Sequence, residues 1–379
     1  MPRGRTGGNT KAKLKTAAKG RTKSGVKLRA RSSRLPRRIT GPSAWYGRDM
    51  IKNQDWVVCL SKADIAEIDR AVAASRHLAI AEIGKAQFPL PKLGKRMKAM
   101  LKELLYGRGF ALIRGLPMDR YDRETAARAY WGLGVWLGSP RSQNARGDLL
   151  GHVIDLSRTT ADPNTRLYQT SERQNYHPDP IDIVGLLCLQ KSMVGGASSI
   201  LSSVTLYNEM QKRRPDLTEE LLRPFYLDRR GEVPAGKKPW YKVAVFNWHK
   251  GLLSTAFTRP YINSAQRFPK VPRLTPKQLE ALDFFQALCE EPSIHLNMDF
   301  EPGDIQFLQN YQVLHDRTAF IDWPNEPDRR RHLLRLWLCC DAGRQLPPSF
   351  AERQGSVTVG DRGGITVPET KLNVTLDVV

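Results

Sequence analysis

Asn175-Tyr176-His177-Pro178-Asp179 is the stretch from which the rest of this 379-residue chain can be read. His177 and Asp179 stand two apart, and in an extended strand residues i and i+2 point to the same face. An imidazole beside a carboxylate makes two thirds of a facial metal triad. A second histidine, brought in by the fold, would complete it and leave the opposite face of an octahedral Fe(II) open. The best candidate is His315, in Tyr311-Gln312-Val313-Leu314-His315-Asp316-Arg317. A His-X-Asp triplet often arises by chance, so the case depends on what surrounds it.

Upstream, the charge is unevenly spread. Residues 1–40 hold 14 of the 60 Lys and Arg and no acid, so of the net +22 only +8 belongs to the remainder. This segment is rich in Gly, Ser, Thr and Ala and cannot bury enough apolar surface to offset its chain entropy, so it is expected to be a disordered basic tail. Three roles stay open for it. It could attract nucleic acid or another anionic surface; it could be a mitochondrial presequence, although it lacks an apolar stripe; or it could be a solubilising tail without a partner. Over the whole chain 40% hydrophobic residues allow a sizeable core, and no apolar run approaches a membrane span. The five cysteines are odd in number and lack metal-like spacing, which points to a reducing, intracellular and most simply cytoplasmic setting.

Residues 41–148 are expected to form a helical elaboration packed on a larger sheet. Helices are predicted from Ser61 to about Arg76, from Lys92 to Tyr106 and from Arg123 to Leu137, with a buried strand at Phe110–Gly115. Residues 149–345 turn to short strands: Ile183–Leu189, Ser198–Val204, a hairpin of Val243–Trp248 with Leu252–Thr258, then His295–Phe300, Asp304–Leu308 and His332–Cys339. Helices are expected from Thr205 to about Arg213 and from Thr275 to Leu288, and Asp216 with Glu219 has the spacing of a capping box. Many short strands with helices outside predict an α+β protein built on a jelly roll, a double-stranded β-helix with flanking helices. Residues 346–379 form a C-terminal extension.

Three further features converge on the metal reading. Glu301-Pro302-Gly303-Asp304 is a turn entering a strand that leads towards His315. Gly195-Gly196-Ala197-Ser198 presents a hydroxyl just after the His177 region. Arg331 and Arg335 lie four apart on an otherwise apolar strand, about 13 Å along it if regular; facing inward, they would have to meet anions.

With these motifs in order, the chain resembles the taurine dioxygenase (TauD/TfdA-like) family of Fe(II)- and 2-oxoglutarate-dependent oxygenases, from about Leu104 to Asp341 and more loosely from Trp45. The shared pattern is His177-Pro178-Asp179, Gly195-Gly196-Ala197-Ser198, Pro302-Gly303-Asp304, His315 and Arg331-His332-Leu333-Leu334-Arg335. The resemblance implies His177, Asp179 and His315 as iron ligands. It places Ser198 and Arg331 on the distal carboxylate of 2-oxoglutarate, and Arg335 on an anionic group of the prime substrate unless Arg335 pairs with an acid of the protein. O2 is the remaining cosubstrate, and the implied reaction hydroxylates a small organic molecule with release of succinate and CO2. Two departures stand out: Leu308-Gln309-Asn310-Tyr311 replaces the family's Trp-Asp-Asn-Arg, and the loop from His315 to Arg331 is longer. A jelly-roll hydrolase is the enzymatic alternative, but it would need no clamp for a dicarboxylate. The non-enzymatic alternative is an inert oxygenase-like domain in a nucleic-acid-binding protein.

The remaining candidates have plainer roles. His249 is expected in a surface turn, His152, His295 and His332 in structural positions, and Arg229, Arg230 and Arg259 on a solvated face or at the substrate mouth. Gln143 and Asn144 are candidates for the pocket, and Asn310 is either a hydrogen-bonding support behind the ligands or a turn former.

Overall fold

The computed structural model describes residues 35–158 and 167–377. Two sheets form the centre. In the larger, the strands run in the order Val57–Cys59, Phe110–Arg114, Ile305–Gln309, Ile183–Gln190 and His332–Cys339; Ser139–Pro140 and Leu150–Ile154 share the far side of the last. All neighbours are antiparallel except the first pair. The smaller sheet orders Leu296–Met298, Ser198–Ser202, Val313–Arg317 and Gln174–His177, antiparallel throughout.

An apolar cluster lies between the sheets. Phe110, Val184, Leu308 and Trp337 of the larger one meet Ile200, Met298 and Val313 of the smaller. The outer faces are covered as well. Helices Lys62–Ser75, Leu93–Tyr106 and Arg123–Gly134 pack on the larger sheet in one continuous core, so the amino-terminal elaboration belongs to the body of the fold. Helices Ser203–Arg213, Pro215–Leu221 and Pro276–Cys289 cover the other side. Ile183–Gln190 is thus enclosed on both faces, as its unbroken apolar run predicts. The result is a mixed α/β sandwich.

Local chemistry explains most helix starts. Ser61 and Asp64 form a reciprocal capping box, as do Thr275 and Gln278. Four expectations need correction. The strand from Ser198 ends at Ser202, not Val204, because the Ser202 hydroxyl accepts a hydrogen bond from Thr205 N (3.0 Å) and caps the next helix. Asp216 caps nothing; its carboxylate pairs with Arg214 at 2.8 Å, and Pro215 starts that helix. The predicted Val243–Trp248 strand is two strands, Trp240–Ala244 against Pro224–Asp228 and Phe246–His249 in the hairpin with Leu252–Thr255. Lys250 and Gly251 turn that hairpin at positive φ.

The fourth concerns the tail. Residues 1–34 lie outside the described residues, but 35–40 do not follow the tail's expected behaviour. Leu35 and Ile39 pack on the apolar core, the Pro36 carbonyl accepts the Tyr207 hydroxyl, and Asn208 bonds both backbone groups of Ile39. These two apolar residues are what the charge-dominated reading overlooked. At the other end, residues 346–377 cross back over the sandwich, where Arg362 and Asp182 form an ion pair at 2.7 Å with both side chains 1% exposed.

Candidate metal and cosubstrate site

His315 and His177 are direct partners in the register of Val313–Arg317 with Gln174–His177. Side chains directly opposite on antiparallel strands share a face, and here the two ring centroids are 4.3 Å apart. The strand stops at His177, so Asp179 reaches the same point through the loop that follows. Ligand atoms from all three residues lie within 4.8 Å of one another, and all three are buried.

Each member is held. His177 Nδ1 lies 2.7 Å from the Asn175 carbonyl, and its Nε2 lies 3.1 Å from the Gln174 side-chain amide nitrogen. His315 Nδ1 is buried without a partner among the described residues. Burial, and next the neighbouring His177, push the His315 imidazole down to about 3, so the ring is neutral and its lone pair available. Asp179 takes Trp337 Nε1 on its carboxylate at 2.8 Å, and its backbone N–H donates to Asn310 Oδ1 at 2.9 Å. Burial pushes its carboxyl up, but the Arg335 guanidinium, the two imidazoles and the Trp337 N–H together hold it below the usual carboxylate range. Two imidazoles and one ionised carboxylate converging on one point suit a divalent metal such as Fe(II).

Two cavities meet at this triad. The larger is lined by His177, Asp179, Arg335 and Trp337 among others. The smaller is lined by Ser198, His315, Arg317, Arg331 and Arg335. Arg331 and Arg335 therefore do share a face, as their spacing predicts. Arg331 is 4% exposed; burial pulls its guanidinium down to about 10, and its Nη1 has no partner among the described residues. Its other nitrogen donates to the Gly196 carbonyl at 3.1 Å. The Gly195-Gly196 turn is at positive φ (75° and 73°), and a Cβ on Gly196 would come within 2.6 Å of Arg331 Nε. The turn is therefore shaped to the arginine. Ser198 Oγ stands 3.2 Å from Gln306 Nε2 on the same floor.

Arg335 behaves differently. Its Nε donates to Gln143 Oε1 at 2.7 Å, and Nη1 lies 3.8 Å from Asp179 Oδ2. It pairs with an acid of the protein while still reaching both cavities.

Matched to the family model described as taurine catabolism dioxygenase TauD, TfdA family, the sequence aligns over residues 74–337. The chain belongs to the TauD/TfdA family. This TauD-family protein is an Fe(II)- and 2-oxoglutarate-dependent dioxygenase, with O2 as cosubstrate. It is 31% identical over 327 residues to FR-33289 synthase of Streptomyces rubellomurinus, covering 84% of this chain and 95% of that one. It is 30% identical over 332 residues to the taurine hydroxylase-like protein SAT17 of Stachybotrys chartarum, covering 84% of each. Its fold is similar to that of asparagine oxygenase in complex with Fe(II), 3-hydroxyasparagine and succinate, with a TM-score of 0.55 at 15% identity over 75% of this chain and 93% of the other. Among the described residues, no helix is long and apolar enough to cross a membrane.

Other sequence candidates in this dioxygenase fall on both sides of expectation. Gln143 lines the larger cavity, whereas Asn144 is tied to Asp148 away from it. Asp304 is no site residue: it pairs with Arg114 at 2.6 Å and locks two strands of the large sheet. His152 and His332 bond each other at 2.8 Å, and His295 sits by the Cys289 carbonyl, all structural. Arg229 is neither solvated nor at the mouth; it is 2% exposed and bonded to the carbonyls of Lys238 and Glu352, while Arg230 does line the larger cavity. Arg259 pairs with Asp283 at 2.8 Å. Sequence reasoning gave no role to Trp337 or Arg317. Each stands two residues from a recognised one, Arg335 and His315, and that period was the available signal.

Proposed function

We propose that this dioxygenase hydroxylates a small anionic organic molecule, releasing succinate and CO2, with His177, Asp179 and His315 as the iron ligands. The observation that carries the assignment is the register pairing of His315 with His177, which brings three donor atoms within 4.8 Å where His315 Nδ1 has no other partner among the described residues. Bound there, Fe(II) with 2-oxoglutarate and O2 supplies an oxidant strong enough for an unactivated C–H bond.

The protein's own residues orient and shield. Arg331 and Ser198 bind the distal carboxylate of 2-oxoglutarate in the smaller cavity, the guanidinium by charge-assisted hydrogen bonds. Trp337 fixes the Asp179 carboxylate from behind, and Asn310 holds the Asp179 backbone N–H. Arg335 keeps that carboxylate ionised. The prime substrate enters the larger cavity, whose wall carries three guanidiniums (Arg230, Arg335, Arg353) against the carboxylates of Glu232 and Asp179, and this favours an anionic substrate. Phe350, Arg353, Gln354 and Ile365 of that wall come from the C-terminal extension, beyond the family match, which favours this segment as a source of substrate choice. We read the sandwich as the double-stranded β-helix expected from the sequence.

The test is to incubate iron-loaded protein with 2-oxoglutarate under oxygen and measure succinate, first alone and then across a panel of carboxylates, sulfonates, phosphates and neutral analogues. Stimulation confined to neutral compounds would reject the anionic substrate. No succinate under any condition would reject the whole scheme.

A further inference from the structure

Arg317 has no part in the scheme above, yet it stands in the smaller cavity. It lies two residues beyond His315 on the same strand and directly opposite Ser198 in the register. Opposite partners share a face and so do residues two apart, so His315, Ser198 and Arg317 project together, and all three line that cavity with Arg331. Arg317 is 6% exposed and Arg331 4%. Their guanidinium carbons lie 4.7 and 5.3 Å from the centroid of one ring, Phe320.

Two buried cations around one ring repel each other, and burial alone already penalises each. Their hydrogen bonds go to neutral groups. Arg317 donates through its two terminal nitrogens to the carbonyls of Thr170 (2.9 Å) and Glu172, and Arg331 donates to Gly196. Arg317 Nε and Arg331 Nη1 are left buried with no acceptor among the described residues. An anion accepting from both would relieve the repulsion and fill both vacant donors.

We propose that Arg317 is a second guanidinium for the distal carboxylate of 2-oxoglutarate: its Nε donates to one carboxylate oxygen while Arg331 donates to the other. The pair, rather than Arg331 alone, then sets the preference for a dicarboxylic 2-oxo acid over a monocarboxylic one. This rests on the reading of the smaller cavity as the cosubstrate site. The competing role is purely structural, with Arg317 only tying down the Thr170–Glu172 backbone.

The experiment titrates the anaerobic Fe(II)-loaded protein with 2-oxoglutarate and, separately, with 2-oxopentanoate, which lacks the distal carboxylate. Binding is followed by the visible charge-transfer absorbance of the chelate, without turnover. In Arg317→Gln the affinity for 2-oxoglutarate is expected to fall on the order of thirtyfold, and that for 2-oxopentanoate to stay the same. Equal losses for both ligands, or none for either, would overturn the proposal. If the wild type itself binds no 2-oxoglutarate, the reading of the cavity fails and this proposal with it; a wild type that binds, beside an unimpaired variant, sinks the proposal alone. Should Arg317→Gln not fold, a crystal structure of the wild-type complex decides. Nε within about 3.2 Å of a distal carboxylate oxygen supports the assignment, and a separation beyond about 4 Å rejects it.

Discussion

A histidine serves as a ligand only when one ring nitrogen is free of its proton, and His315 meets that condition through burial. Its neutral state follows from the low polarity around it and from His177 beside it. Replacing His177 or His315 by alanine should abolish stoichiometric iron binding and succinate formation together; full iron content in His315→Ala after anaerobic loading would remove it from the ligand set. The two arginines should separate. Arg331→Ala is expected to raise the Michaelis constant for 2-oxoglutarate at least tenfold, about 1.4 kcal/mol, with iron affinity unchanged. Arg335→Ala leaves Asp179 without its nearest cation, so iron affinity itself should fall; a variant that loses only prime-substrate affinity would contradict that role. The gathering of His177, Asp179 and His315 was legible through the motif order that carries the resemblance, and the shared face of the two arginines through strand spacing. Asn310 was legible only as a choice between a support and a turn former, and Trp337 and Arg317 were passed over, because what each does depends on which strand lies opposite.

Elements announced by end signals or by an unbroken apolar run were legible in the sequence, and buried strands of polar residues were not. Ser61 with Asp64 and Thr275 with Gln278 mark helix starts by bonds within four residues. The strand Val313–Arg317 carries His, Asp and Arg in succession and is buried at every position, so it shows no alternation and resembles a loop. Its polar residues are accommodated by tertiary partners, such as Arg173 on Asp316 at 2.9 Å, which sequence alone cannot supply. The C-terminal extension was similarly opaque. Its anchor, Arg362, meets Asp182, which also accepts the Cys340 N–H and whose carbonyl accepts from Asn310, the residue that steadies Asp179. Arg362→Ala strands a buried carboxylate and should cost about 3–5 kcal/mol in urea unfolding. A loss under about 1 kcal/mol would show that Asp182 finds water instead.

For the whole molecule, charge composition misjudged where packing begins. A chain shortened to start at Leu35 should keep its melting temperature, whereas one starting at Gly41 loses the Pro36 and Ile39 hydrogen bonds and two apolar contacts, and should be less stable by about 1–3 kcal/mol. Equal melting temperatures for the two would make residues 35–40 dispensable. Acid should act through buried imidazoles. Burial holds His315 and His332 down to about 3 against an ordinary 6.5, so as pH falls the unfolded chain takes up protons that the folded one refuses. Stability of the metal-free protein is then insensitive to these rings above about pH 6.5 and falls by up to about 1.4 kcal/mol per pH unit for each ring towards pH 3. Urea midpoints at pH 7 and pH 5 measure the slope, and His332→Gln should reduce it; an unchanged slope would move the acid sensitivity elsewhere. One last consequence comes from the pairing of Gln174–His177, an edge strand joined to its neighbour through only two register pairs, His315 with His177 and Arg317 with Gln174, on either side of an irregularity. An ion gripped from both strands would work as a rivet at the hem of the small sheet. Iron starvation would then leave the body of the enzyme standing and unpick that hem first, so metal supply would govern how long the protein survives proteolysis as well as whether it reacts.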